Sequence, residues 1–321
     1  MVPPPLPPPE RDHLFCYAVV SSTELPLLEA QLQRHVGLFS CDTQLVLSNS
    51  SAVLRAAGMV AQTASLPESM DVERGGTWGA PMNVKLFLFA WRVLRAYVEG
   101  GWCRGWVIKL DMDTYFVPAR FRHVVQQTAA GRSPRKHAFV WSLRRERLWL
   151  PGPLEVLSSR AMRMVLGDLD DCIKHAEQWR RETEQGWGRS SRAIQAENHT
   201  SNSSNTSTAR RVVVVKNKAR NNNSLVEDLW LRDCISRGQS RHQIARLYHK
   251  DLLCWAGGRY NTEATCTASG AGNTSLNLSL LAKNPTLYCR QPHLVAYHPV
   301  KTVKEWLACD RHMRALPAMH G

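Results

Sequence analysis

The sequence has no cysteine pair at C-x-x-C spacing and no internal repeat, although its 321 residues include nine cysteines. The missing spacing excludes a zinc ribbon and a thioredoxin-like redox motif. No zinc-finger spacing, RNP-type aromatic run or basic leucine zipper accompanies the formal charge of +14. The scattered arginines therefore do not predict a nucleic-acid-binding protein. They favour attraction for anionic substrates such as nucleotide diphosphates.

A long apolar run is missing as well. The longest, Val84 to Val98, contains three basic residues and is too short to span a bilayer. Residues 1–12 form a proline-rich tract without the apolar core of a signal peptide. We therefore expect one of two situations. Either the chain is cytoplasmic, or it belongs to the secretory pathway, in the Golgi or ER lumen, with an upstream membrane anchor missing and the tract serving as a stem.

The cysteines are dispersed along the chain, which fits a few structural disulfides in a secretory compartment. Cys16 lies on a predicted first strand and Cys41 just before a second, so parallel pairing of these strands predicts a Cys16–Cys41 bridge, the alternative being two buried thiols. Cys172 and Cys234 lie on two later predicted helices and can also pair. Glycosylation sequons point to the same compartment. They begin at Asn49, Asn198, Asn202, Asn205, Asn222, Asn273 and Asn277.

Strands and helices are predicted to alternate from the start. Leu14–Ser21 and Thr43–Leu47 are apolar strands, a helix runs from about Leu25 to Val36, and a short helix opens at Ser50 or Ser51 and stops near Gly58. Further predicted elements are a helix from Pro81, strands Trp106–Leu110, Ala138–Leu143 and Leu154–Ser159, helices from Pro118, Arg160 (to Trp179) and Leu225, strand Leu294–Tyr297 and a final helix. This order predicts an α/β fold with a mostly parallel central sheet, helices on both faces and a single domain.

The predicted domain covers residues 13–314 and is followed by a tail, residues 315–321. Within it, residues 186–224 are rich in Ser, Asn, Thr and Arg. This composition predicts a disordered insertion rather than a linker between domains.

Asp111 and Asp113 directly follow the apolar strand Trp106–Leu110. Residues i and i+2 of an extended segment face the same side, so the two carboxylates are predicted to lie side by side. The carboxyl end of a strand is where open α/β sheets bind ligands. Paired carboxylates suit Mn²⁺ or Mg²⁺, and the alternative is a solvated turn.

Two other polar groups stand at the ends of predicted elements. Glu227 and Asp228 open a helix, where dipole compensation is the structural alternative. His298 and Lys301 follow the last strand, where the histidine can equally be structural. Taken together, an imidazole can add a metal ligand and a lysine can neutralise a leaving diphosphate. A carboxylate at a helix start can accept a proton from an attacking hydroxyl.

With these residues in place, the sequence resembles the GT-A fold glycosyltransferases that use nucleotide sugars, specifically the fringe-like and β1,3-galactosyltransferase-like group. The resemblance extends from about Leu14 to Cys309. The segments that carry it are Thr77–Gly79 through Asn83 and Lys85, Trp106–Phe116, Gly152–Ser158, Glu227–Asp228 with Cys234, and Tyr297–Lys301. The sequence departs from the group at Leu110, where many relatives have a further acidic residue.

The resemblance implies a metal-dependent, inverting transfer of a hexose from a nucleotide diphosphate sugar, a UDP-sugar above all, to a hydroxyl of a glycan or glycoprotein acceptor. It implies Mn²⁺ or Mg²⁺ bound by Asp111, Asp113 and His298. Asp228 is the implied general base, with Glu227 as the weaker candidate. The implied donor-binding residues are Val20, Ser21, Asn83, Lys85 and Lys301.

Two rival interpretations stay open. A phosphatase of the haloacid-dehalogenase type also has D-x-D after an apolar strand, and Gly167–Asp171 imitates its second acidic motif, but Tyr115 occupies its Thr/Val position. A non-catalytic carbohydrate-binding protein on the same fold is the other rival. Intact acidic and imidazole groups at all predicted site positions argue against it.

Overall fold

A computed structural model describes residues 13–56, 59–66, 72, 74–75, 80–81, 83–128, 132–143, 148–175, 177–178, 227–249, 252–255, 289 and 294–315. Its strands are β1 (Leu14–Val19), β2 (Thr43–Ser48), β3 (Val53–Ala56), β4 (Met59–Ser65), β5 (Arg74–Gly75), β6 (Ala80–Pro81), β7 (Trp106–Leu110), β8 (Tyr115–Phe116), β9 (Phe139–Ser142), β10 (Leu154–Ser158), β11 (Ala245–Tyr248), β12 (Cys254–Trp255) and β13 (Ala296–His298). Its helices are α1 (Leu25–Arg34), α2 (Val84–Glu99), α3 (Pro118–Thr128), α4 (Ser159–Gly167), α5 (Glu227–His242) and α6 (Val303–Ala315).

The main sheet has eight strands in the order β11-β9-β10-β7-β1-β2-β4-β3. The central strands β7, β1, β2 and β4 are parallel, and so are β9 and β11. β10 runs antiparallel between β7 and β9, and β3 is antiparallel to β4. The fold is therefore α/β with a mostly parallel, mixed, Rossmann-like sheet. The predicted fold class is confirmed at that level.

Apolar helices cover both faces of this sheet. Alternate residues of β1 face opposite ways, as a strand requires. Phe15 and Tyr17 join the cluster built with α2, α4 and α5, whereas Leu14 and Cys16 join the cluster built with α1 and α3. The helices on both faces that the sequence predicted are thus present.

A three-stranded sheet, β12-β13-β8, joins the end of the chain to the segment after β7. β13 pairs antiparallel with β8, so that Tyr297 is opposite Tyr115. The buried Asp310 of α6 accepts hydrogen bonds from Tyr115 (3.1 Å), Arg34 (3.2 Å) and Arg314. These contacts hold the last strand and helix against the acidic turn.

Three disulfides join cysteines that are both among the described residues. Cys16–Cys41 and Cys172–Cys234, with Cα separations of 6.0 and 5.6 Å, confirm the two predicted pairings. Cys289–Cys309, which the sequence did not predict, has a Cα separation of 5.1 Å. Three bridges are consistent with a secretory protein. Among the described helices, none combines the length and apolarity that a bilayer crossing requires.

Several predicted element bounds were wrong. The helix from Ser50 to Gly58 is replaced by strand β3, because this segment pairs with β4, a strand the sequence analysis missed. The helix assigned to Pro81 begins at Val84, because Pro81 pairs with Arg74 in a short hairpin. The single helix from Arg160 to Trp179 is interrupted by a turn at Asp168 and resumes over residues 169–175.

Some predictions fall outside the described residues. They concern the proline-rich tract (residues 1–12), the Thr77–Gly79 segment, the polar insertion (residues 186–224) and the end of the tail (residues 316–321).

Candidate functional site

The strand order reverses between β1 and β7. From β1 the chain builds β2 and β4 on one side, and it then returns to place β7 on the other. Tyr17 is paired with Lys109, so Val19 is level with Asp111 at the carboxyl edge. Such a switch point is where open α/β sheets form a ligand crevice. Val20 and Ser21 lie on this edge, Val20 buried and Ser21 half-buried.

The acidic segment is a turn rather than an extended strand. The Thr114 amide donates to the Asp111 carbonyl at 2.9 Å, and the Asp111 amide donates to the Pro153 carbonyl at 3.1 Å. Strand alternation therefore stops at Leu110, and the extended geometry from which the two carboxylates were predicted to lie side by side was wrong. Asp113 is buried, whereas the Asp111 side chain is 39% exposed.

Asp113, His298 and Lys301 come together across the turn. His298 Nδ1 lies 3.2 Å from Asp113 Oδ1, and the Lys301 ammonium bonds Asp113 Oδ2. Thr114 Oγ1 is 3.3 Å from the same imidazole nitrogen. The Val300 amide donates to the Asp113 carbonyl at 2.7 Å, which fixes the segment after β13. The structure thus joins residues 188 positions apart in one polar cluster.

The charges around Asp113 stabilise its ionised form. Burial acts to raise the pKa of this carboxyl, but hydrogen bonds and positive charge from His298 and Lys301 outweigh it and lower the pKa to about 2. Asp113 is therefore an anion throughout the physiological range.

A second cluster lies directly beneath the turn. Lys109, only 4% exposed, donates from Nζ to Glu227 Oε2 and to the Gly152 carbonyl, both at 2.8 Å. The same nitrogen is 3.3 Å from Asp111 and 3.9 Å from Glu155. Burial acts to lower the pKa of Lys109, but the surrounding carboxylates outweigh it and raise the pKa well above its usual value.

The start of α5 presents its two carboxylates differently. Glu227 is 1% exposed and is held by Lys109, so it cannot meet an acceptor hydroxyl. Asp228 is half-buried, and a Cβ on Gly152 would lie 3.5 Å from its carboxylate. Burial raises the pKa of Asp228, which suits a group that accepts a proton. Of the two predicted bases, the structure favours Asp228.

The predicted donor-binding residues have mixed surroundings. Asn83 Oδ1 accepts a hydrogen bond of 3.0 Å from the Glu227 amide, so this side chain caps the start of α5. Lys85 is exposed in the first turn of α2. Ser21 donates from its hydroxyl to Glu24 at 2.6 Å. Lys301 lies beside Asp113, with its side chain 67% exposed.

The carboxylates at the turn are of the type that Mn²⁺ and Mg²⁺ prefer, and the His298 imidazole adds a nitrogen donor. Within the described ranges, no three His, Cys, Asp or Glu side chains are close enough together to form a metal-binding group. Asp113 and His298 are adjacent, whereas Asp111 is paired with Lys109. The residues fit in chemical type, and the complete three-ligand set stays a prediction.

Sequence reasoning missed Lys109 and Glu155 as parts of the site. Each is a charged residue inside an apolar strand, and a buried charge requires a partner. That signal predicts a pair, but only the register places Glu155 opposite Lys109.

The segment Gly167–Asp171, which the phosphatase hypothesis takes as its second acidic motif, lies away from Asp111 and Asp113. Asp168 and Asp171 line a cavity of about 320 Å³ beside Cys172 and Cys234. Cys234 is about two helical turns along α5 from Asp228. The phosphatase hypothesis therefore gains no support from this placement.

The burial of Asp113 leads to a prediction about acid stability. In metal-free protein, the lowered pKa of Asp113 stabilises the fold by about 2 kcal/mol near neutral pH. This contribution is complete only above the pKa of the unfolded chain and is lost as pH falls towards 2. Near pH 3 it is therefore about half as large. The free energy of unfolding of wild-type protein minus that of Asp113→Asn, measured with urea, should become smaller as the pH is lowered. An equal difference at about pH 6 and pH 3 would contradict it, and Asp170→Asn, at an exposed position, is the control.

No family model matches this chain, and no curated protein matches it. The fold and the site together define an α/β protein with a carboxylate, imidazole and ammonium cluster at the switch point of its sheet. Because one fold hosts many activities, function has to be inferred from the chemistry of this site.

Proposed function

We propose that the protein is a metal-dependent glycosyltransferase of the GT-A type, which moves a hexose from a nucleotide diphosphate sugar, a UDP-sugar above all, to a hydroxyl of a glycan or glycoprotein. The proposal depends on one observation: His298 and Lys301 both contact the Asp113 carboxylate at the sheet edge. Asp228 is half-buried at the same edge. Such a transfer requires groups that neutralise the leaving diphosphate and a base close to them.

The donor is proposed to lie over the carboxyl ends of β1 and β7. Val20 and Ser21 follow β1 at this edge of the sheet, and Lys301 offers an exposed ammonium for the diphosphate. Asp113 and His298, together with Asp111, would hold Mn²⁺ or Mg²⁺, which when bound would neutralise charge on the leaving diphosphate. The strongly basic composition favours the approach of such an anion.

Asp228 is proposed to act as the general base. It takes the proton from the acceptor hydroxyl as the oxygen attacks the anomeric carbon, and the bond from that carbon to the diphosphate oxygen breaks. Attack opposite the leaving group inverts the anomeric centre. Gly152 presents no side chain towards Asp228, and a Cβ there would be in van der Waals contact with the carboxylate.

The disulfides between described residues favour an oxidising compartment, and we propose the lumen of the Golgi or ER. A carbohydrate-binding protein on the same fold is the rival that uses the same crevice. Binding of the sugar without turnover would favour that rival.

Equilibrium binding of UDP-sugars tests the proposal. Wild-type protein should bind at least one donor in the presence of Mn²⁺ and lose most of that affinity with a chelator. Asp113→Ala should weaken binding by at least about tenfold to a hundredfold, which is the range for loss of an outer-shell partner of a metal ligand. Asp170→Asn, at an exposed position away from the crevice, should bind as wild type. Equal affinity of Asp113→Ala and wild type would contradict the proposed donor site.

A further inference from the structure

Three carboxylates surround the single ammonium of Lys109. An ammonium has three N–H donors. Those of Lys109 are directed to the Gly152 carbonyl at 2.8 Å, Glu227 at 2.8 Å and Asp111 at 3.3 Å. Glu155, at 3.9 Å, is beyond hydrogen-bond distance. Lys109 therefore holds two of the three carboxylates directly.

The remaining carboxylate oxygens are buried and lack a donor. Both oxygens of Glu155, and Oε1 of Glu227, have no hydrogen-bond partner among the described residues when both groups are treated as carboxylates. Glu155 is 1% exposed, so bulk solvent does not reach its carboxylate. An isolated buried carboxylate costs several kcal/mol. The Glu155 and Glu227 side chains are in contact, and one hydrogen between them satisfies an oxygen of each.

We propose that Glu155 stays protonated at neutral pH and donates a hydrogen bond to Glu227 Oε1. Glu155 is thereby a positioning residue for the Lys109–Glu227 pair. The positioning role rests on the proposed function, whereas the shared proton stands on the contacts alone. Glu155 lies on β10, opposite Lys109 on β7, and Tyr17 on β1 is opposite Lys109 from the other side.

Most of the groups that face Glu155 favour its protonated form. Burial and the neighbouring Glu227 charge raise the pKa of Glu155, and Asp228 adds to the effect. Lys109 acts in the opposite direction, and Tyr17 is neutral because burial raises its pKa well above its usual value. With the proton present, Lys109, Glu227 and Glu155 carry no net charge. Without it, they carry one negative charge that opposes ionisation of the proposed base Asp228.

Glu155→Gln tests the proton without any substrate, because glutamine keeps the shape and the donor but cannot ionise. The folded wild type binds one more proton than its unfolded chain above the ordinary glutamate pKa, so its stability falls as pH rises towards the folded pKa. The variant lacks this loss. The melting temperature of Glu155→Gln minus that of wild type should therefore rise by about 2 °C or more per pH unit between about pH 5 and pH 7.

Glu29→Gln, at an exposed position on α1, is the matched control and should show no such slope. A constant lower melting temperature of Glu155→Gln across this range would overturn the proposal, because it is the result expected of an ionised Glu155 paired with Lys109. If the variant does not fold, carbon NMR of glutamate-labelled wild type decides the matter. One glutamate carboxyl carbon should have the shift of a protonated acid at about pH 6.5, and its absence overturns the proposal.

Neither measurement involves a nucleotide sugar. A negative result therefore removes the shared proton and leaves the proposed transfer untouched. Conversely, a protonated Glu155 in a protein that binds no donor would contradict the proposed function alone.

Discussion

Asp228→Asn is expected to lower kcat for sugar transfer by about a hundredfold to ten-thousandfold, the range for loss of a general base. Asparagine has the same shape but does not accept the hydroxyl proton. The Asp228 backbone and its neighbours are unchanged, and Glu227 stays bound to Lys109. Donor affinity should therefore remain close to that of wild type. Initial rates with donor and acceptor, beside equilibrium donor binding, separate the two effects.

Asp233→Asn is the control for this variant, because Asp233 lies on the same helix and pairs with Arg232 at its surface. It should transfer sugar at the wild-type rate. Full turnover by Asp228→Asn would show that the base has been assigned to the wrong residue. Loss of donor affinity together with turnover would instead indicate that Asp228 belongs to the donor site.

Lys109→Met is expected to destabilise the fold by about 3 to 5 kcal/mol, the cost of removing one partner from a buried ion pair. Methionine occupies a similar volume but leaves Glu227 without its 2.8 Å partner and Asp111 without its counterion. The contact of the ammonium with the Phe87 ring, at 4.7 Å, is lost as well. Urea unfolding at neutral pH measures the change, because the raised pKa of Lys109 keeps it charged there.

Lys174→Met removes a lysine whose side chain is 77% exposed and should change the stability by less than about 0.5 kcal/mol. Adding Glu227→Gln to Lys109→Met should recover part of the lost stability, because the unpaired carboxylate is then neutral. A cost below about 1 kcal/mol for Lys109→Met would mean that the buried cluster does not form as described.

Much of the fold could be predicted because it depends on local pattern. The apolar runs Leu14–Ser21 and Thr43–Leu47 predicted buried parallel strands, and their pairing also predicted the Cys16–Cys41 bridge. The antiparallel insertion of β10 between β7 and β9 has no comparable local signal. It depends on which strands the chain brings together after the helices have packed.

The candidate site was predictable at the ends of elements and less so inside them. His298 and Lys301 could be expected near Asp113, since each follows a strand predicted from the sequence, and the structure brings these three together. The turn that begins at Asp111 could not be expected, because the Pro153 carbonyl that holds its amide is distant in sequence. The partners of Lys109 could not be predicted for the same reason.

The most direct test of the central claim is a panel of nucleotide sugars incubated with the protein and Mn²⁺, with release of the nucleoside diphosphate as the measured quantity. We expect release from at least one sugar donor, stimulated by an acceptor and abolished by a chelator. Failure to bind or cleave any donor in the panel, with and without Mn²⁺, would contradict the assignment of the crevice at Asp113, His298 and Lys301 to a glycosyl donor.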